Sequence, residues 1–179
     1  MALLAWHPLS GEAQKVQQRY RDLAAWRRNP KQFYAHYAGV QFAIEHFPGK
    51  FEVIDELEKS LEPDEGVFVW GTDPLIYFLT GRQPPTRFVS NLPLISPWGP
   101  PAWRLELVRD LRRARPAFIV VSRHDQVPEI AFTPLDSEHY LSVYKDLDEL
   151  LSTSYRPVAE FTDFVLYRLT TEPSVTRGN

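Results

Sequence analysis

Val67-Phe68-Val69-Trp70-Gly71-Thr72-Asp73-Pro74-Leu75-Ile76-Tyr77-Phe78-Leu79-Thr80-Gly81-Arg82 decides the fold class. Its first four residues are strand formers with no polar member, as expected for a strand buried on both faces in a parallel sheet. Gly71-Thr72-Asp73 turns the chain. Asp73 ahead of Pro74 predicts an N-cap for a short helix over 75–80, and Gly81 ends that helix.

The same alternation extends outward. Upstream, Phe51, Ile54, Leu57 and Leu61 give residues 51–61 an apolar helical face, and Pro63-Asp64-Glu65-Gly66 reads as the turn into the strand. Downstream, Arg87-Phe88-Val89 reads as a second short strand, and the four prolines of 91–101 as an extended loop. A helix follows over 102–114, closed by Pro116. Ala117-Phe118-Ile119-Val120-Val121 is the next buried strand, and 126–136 a loop. Residues 137–152 have helical periodicity in two pieces, and strands at 158–161 and 164–169 form a closing hairpin. The order predicts an α/β fold, a Rossmann-like three-layer sandwich whose sheet is mostly parallel and ends in an antiparallel hairpin.

A different kind of segment precedes this body. Residues 1–48 carry six basic and three acidic side chains, against thirteen and nineteen in 49–169. Ser10 is placed to cap a helix over 10–28 bearing Val16, Tyr20, Leu23 and Ala24 on one face. Asn29-Pro30 starts a second helix with Phe33, Tyr34 and Tyr37, and Gly39 ends it. Pro48-Gly49 marks the break. The division is therefore an N-terminal helical arm at 1–48, an α/β domain at 49–169 and a disordered tail at 170–179. Tyr20, Trp26, Phe33, Tyr34 and Tyr37 either pack on the domain or face a partner or a membrane surface.

Composition narrows the chemistry. The 179 residues include no cysteine, which excludes disulfides, cysteine-held zinc or iron–sulfur centres and a thiol nucleophile. A formal charge of -3 disfavours nucleic acid as a partner. Eight scattered glycines form neither a Walker A nor a Gly-x-Gly-x-x-Gly loop, and there is no Gly-x-Ser-x-Gly elbow. No cofactor is expected. No apolar run approaches the ~18 residues of a spanning helix, and the start lacks the basic region of a signal peptide. The chain as written is expected to be soluble, either on its own or as a piece of a larger protein.

Ligands of open α/β sheets bind beyond the carboxyl ends of the strands. Two polar loops occupy that place, Gly71-Thr72-Asp73 and Ser122-Arg123-His124-Asp125. If their strands are neighbours, Asp73, Ser122, Arg123, His124 and Asp125 share a crevice bordered by Arg82 and Arg87. Such a set can hold a polyol or an anion through bidentate arginine contacts. It can equally serve structure, with Asp73 capping its helix and Arg82, Arg87 and Asp125 pairing. Asp73, His124 and Asp125 do not suit a metal, because adjacent residues seldom point at one ion. His124 has a suitable pKa for acid/base work but no placed partner.

The opening stretch, followed by Thr86-Arg87-Phe88, Pro116-Ala117-Phe118-Ile119-Val120-Val121 and Phe164-Val165-Leu166-Tyr167-Arg168, resembles the soluble C-terminal part of polytopic membrane glycosyltransferases. These are the dolichyl-phosphate-mannose–protein mannosyltransferase-like and aminoarabinose-transferase-like enzymes, which use polyprenyl-phosphate sugars. The resemblance spans roughly residues 33–169 and is carried by Trp70, Gly71, Pro74, Tyr77, Gly81, Arg82 and Arg87. It implies an extracytoplasmic accessory domain, non-catalytic alone. The implied partners are the membrane-embedded part of the parent protein and a glycan or lipid-linked sugar acceptor. The alternative is a free-standing Rossmann-like module binding a small polar ligand at the two loops.

Overall fold

The computed structural model of the chain describes residues 11–30, 33 and 47–170. The Ser10 cap, most of the second helix of the arm and the tail beyond Thr170 lie outside the described residues. The chain divides into two compact units, Met1–Gln41 and Phe42–Asn179. In the first, α1 (Gly11–Arg28) is the expected helix, with Arg27 and Arg28 in its last turn. Val16, Tyr20 and Leu23 on its apolar stripe are half or more exposed.

The second unit is built on a mixed four-stranded sheet. Its elements run α2 (Phe47–Ser60), β1 (Val67–Trp70), α3 (Leu75–Thr80), α4 (Leu92–Ile95), α5 (Ala102–Ala114), β2 (Phe118–Ser122), α6 (Pro128–Ala131), α7 (Ser137–Leu141), α8 (Lys145–Ser154), β3 (Tyr155–Glu160) and β4 (Phe164–Leu169). The strand order is β1-β2-β4-β3. β1 and β2 are parallel, with Val67 opposite Phe118 and Trp70 opposite Val121. β4 runs antiparallel to both β2 and β3. The expectation of a mostly parallel sheet is thus corrected. One pair is parallel and two are antiparallel, because residues 87–89 supply no further parallel strand and the hairpin adds β4 and then β3 to the free edge of β2.

Strand alternation sorts the core. Phe68, Trp70, Ile119 and Val121 pack with Leu107, Val108 and Leu111 of α5 and with Leu147, Leu150 and Leu151 of α8. Val67, Val69, Phe118, Val120, Phe164 and Leu166 pack instead with Val53, Ile54 and Leu57 of α2 and with Ile76 and Tyr77 of α3. Both faces of β1 and β2 are therefore buried, as the unbroken apolar runs require. Each such side chain contributes about 1.5–3 kcal/mol on burial.

Three local expectations change. Residues 87–89 form no strand, and Phe88 is buried in a bend whose N–H is taken by Thr86 Oγ1. Two of the backbone groups that an added outer strand would pair with are already used: Val69 N–H donates to the Tyr77 hydroxyl at 2.8 Å, and just past β1 the Gly71 carbonyl accepts from Asn91 N at 3.0 Å. The loop at 91–101 is not extended throughout but contains α4, with Pro93 tolerated in its first turn. Pro48-Gly49 is not a break. Both residues lie in the first turn of α2, where a proline nitrogen has no partner to lose. At the far edge, exposed Pro157 and a register shift between Pro157 and Ala159 interrupt β3, which discourages edge-to-edge pairing.

Tyr77 closes the outer edge of β1 from inside the core. Tyr77→Phe removes the acceptor and leaves a buried N–H unpaired. The expected loss is about 1–3 kcal/mol in urea unfolding with an unchanged m-value.

Candidate functional site

β1 and β2 are parallel neighbours, so their carboxyl ends coincide and the two polar loops meet. Gly71 makes the contact possible. A Cβ there would sit 1.9 Å from Ser122 Oγ and 2.6 Å from Ser122 Cβ, so only glycine lets the chain leaving β1 pass the end of β2.

Asp73 does not cap its helix. The cap position falls on Pro74, which makes no side-chain cap bond, and the Asp73 backbone carbonyl accepts from Ile76 N. The Asp73 carboxylate turns inward instead. Lys50 of α2 reaches Oδ1 at 2.5 Å, and Ser122 Oγ donates to Oδ2 at 3.2 Å. Lys50 and Asp73 are 3% and 6% exposed, so this is a buried ion pair. Its charges have given up water, and breaking it by removing one partner destabilises the folded chain.

Asp125 forms the second half of the site. Its Oδ1 accepts from Ser137 N at 2.8 Å. Its Oδ2 accepts from Ser137 Oγ at 2.7 Å, Thr72 N at 3.2 Å and Thr72 Oγ1 at 3.4 Å. Asn91 Nδ2 donates to the same Ser137 hydroxyl at 2.6 Å, and Trp70 Nε1 donates to the Ser137 carbonyl at 2.8 Å. Burial, reinforced by the nearby Asp73 charge, pushes the Asp125 carboxyl above its ordinary value against the pull of these hydrogen bonds. The strand ends are thus filled by their own side chains.

The remaining predicted residues surround or leave this centre. Arg123 is bound by Glu138 at 2.8 Å and Glu160 at 2.6 Å, tying α7 to β3. His124 adopts φ 56°. Its N–H donates to Asp136 Oδ2, and its largely exposed ring lies 3.3 Å from Asp163 Oδ1. It does not converge with Asp73 and Asp125. Arg82 lies at the opposite end of β1, donating to the Pro63 and Glu65 carbonyls of the entry turn. The six residues of α3 return the chain about 9 Å along the strand. Arg87 holds Glu106 of α5 through two bonds of 2.7 and 2.9 Å and lies over the Phe88 and Trp103 rings. Neither arginine borders the strand-end centre.

The motif residues have definable structural work. Trp70 and Tyr77 make the bonds given above, Pro74 starts α3, and Gly81 ends it at φ 65°. Lys50, Asn91 and Ser137 are members of the site that sequence reasoning missed. Lys50 precedes the expected helix at 51–61 and drew no reading, and Ser137 read only as a helix start. Among the described residues, no group of three or more His, Asp or Glu side chains could hold a metal ion, and no helix is long and apolar enough to cross a membrane.

Comparison of the chain with protein-family models, curated proteins and solved structures gives no match.

The pH behaviour of Asp125 follows from its environment. A carboxyl whose pKa is raised on folding adds stability below its unfolded value of 3.8, and loses that contribution as pH rises through the raised folded value. The unfolding free energy of the wild type minus that of Asp125→Asn should therefore fall as pH climbs from 3.8. A difference that is flat or grows with pH contradicts this.

Proposed function

We propose that this chain is an extramembrane accessory domain of a glycosyltransferase-like membrane protein that uses polyprenyl-phosphate sugars. In this reading it has no catalytic role of its own. The observation that carries the proposal is the occupancy of the strand-end position. Where an α/β ligand site would open, Lys50, Asp73, Ser122, Asp125 and Ser137 bind one another. A domain whose expected crevice is closed by a buried ion pair suits a supporting or acceptor-orienting role better than turnover. The residues of the resemblance are consistent with this, since Trp70, Gly71, Tyr77, Gly81, Arg82 and Arg87 each hold a turn, an edge or a helix end.

The finer fold reading belongs to the same proposal: a Rossmann-like three-layer arrangement preceded by a helical arm. So do its position on the extracytoplasmic face and its contact with a glycan or lipid-linked acceptor. A free-standing ligand module at the same loops would require Lys50 and Asp73 to part, which costs about 3–5 kcal/mol for an uncompensated buried charge.

Antibody raised against residues 47–170 tests the proposal in the native cell. It should detect a polypeptide longer than 179 residues in carbonate-washed membranes, cleavable by protease added from the extracytoplasmic side. A soluble species of 179 residues overturns it.

A further inference from the structure

A cavity of about 250 Å³ lies at the end of the sheet opposite the Lys50–Asp73 pair, between the C-terminal turns of α5 and α8. Leu111, Leu150, Leu169 and Tyr155 give it an apolar wall, and Arg112, Arg115, Thr153 and Ser154 give it a polar one. The lining residues include two arginines and no acidic residue. The Tyr155 hydroxyl donates to the carbonyl of Pro116, outside the lining, at 3.0 Å. Thr153 spends its hydroxyl on the Glu149 carbonyl at 2.7 Å, whereas the Ser154 hydroxyl has Thr153 Oγ1 at 3.5 Å as its neighbour.

Arg115 supplies a second observation. It ends α5 in the left-handed region, at φ 45° and ψ 57°, with its N–H on the Leu111 carbonyl. Glycine is the usual residue at that position, because a Cβ is strained there. Here the strained position carries an arginine that borders the cavity, and strain of this kind clusters at binding sites.

We propose that this cavity binds a small phosphate monoester bearing a compact apolar group. Two guanidinium forks match the double charge and multiple acceptors of a phosphate dianion. The Ser154 hydroxyl adds a donor, and the leucines and the Tyr155 ring take the apolar part. The volume falls below the ~300–1,000 Å³ of pockets for drug-sized ligands, which sets the size of the guest. Arginines in a last helical turn also complement the helix dipole, but that role needs neither an apolar wall nor a left-handed arginine. The inference is independent of the accessory-domain proposal, because it uses no residue of the strand-end centre.

Titration calorimetry on the full chain at low salt tests it, with phenyl phosphate as the probe and inorganic phosphate and phenol as its two halves. Phenyl phosphate should bind at least tenfold more tightly than either half. Arg112→Ala and Arg115→Gly should each weaken it at least tenfold. Arg113→Ala, outside the lining and paired with Asp110, should leave it unchanged. Arg115→Gly should also raise Tm, since glycine relieves the left-handed strain, which separates lost binding from lost folding. The proposal is overturned if phenyl phosphate binds no better than inorganic phosphate. It is equally overturned if Arg113→Ala weakens binding as much as Arg115→Gly, the result expected of diffuse attraction to a basic helix.

Discussion

The ion pair between Lys50 and Asp73 is the constraint on which the arrangement of the second unit rests. One partner lies in the first turns of α2, and the other in the turn between β1 and α3. Each has lost nearly all contact with water, so each carries a desolvation penalty of several kcal/mol that the attraction between them helps to offset. Ser122 satisfies the second carboxylate oxygen of Asp73 and extends the tie to β2. Three elements distant in sequence are thus fixed at one point. The apolar contacts of α2 with Val67, Val69 and Phe118 supply the bulk energy but are non-directional. The ion pair supplies direction, because a shift of α2 along the sheet would separate the charges.

A second polar knot lies beside the first. Asp125 gathers Thr72 and Ser137, and Ser137 in turn receives Asn91 and Trp70. Through these bonds the loop after β2, the start of α7 and the segment before α4 are drawn to the end of β1. Two carboxylates this close repel each other, and burial penalises both. Lys50 answers the charge of Asp73, while burial, with the Asp73 charge nearby, holds the Asp125 carboxyl above its ordinary value. Such a centre is costly to open and specific in its geometry, which suits a fixed support for surfaces elsewhere on the molecule.

Features written in contiguous residues were legible in the sequence. The strands Val67–Trp70 and Phe118–Ser122 are buried because each is built on an unbroken apolar run, Val67–Trp70 and Ala117–Val121. The hairpin and the two-piece helix over 137–154 follow from local periodicity. The meeting of Asp73, Ser122 and Asp125 was also foreseeable, since it needs only that β1 and β2 be neighbours. What the sequence concealed depends on partners far away. Lys50 lies between the expected break at Pro48-Gly49 and the expected helix at 51–61, and nothing local links it to Asp73, 23 positions later. Asp-Pro before a helix reads as a cap, and tertiary pairing diverted the side chain. Phe88-Val89 has strand composition, but Tyr77 and Asn91 had already taken two of the groups a ladder would use. The destinations of Arg82 and Arg87 were set by how far α3 and α5 carry the chain, which residue type alone does not reveal.

A double-mutant cycle on Lys50→Met and Asp73→Asn, read by urea unfolding of the full chain, addresses the ion pair directly. Each single change should cost about 3–5 kcal/mol, because it breaks a buried ion pair from one side. The double variant should be less destabilised than the sum of the singles, with a coupling of about 2 kcal/mol or more, within the range for directly interacting residues. Single changes below about 1 kcal/mol that simply add would contradict the claim that this pair organises the sheet ends.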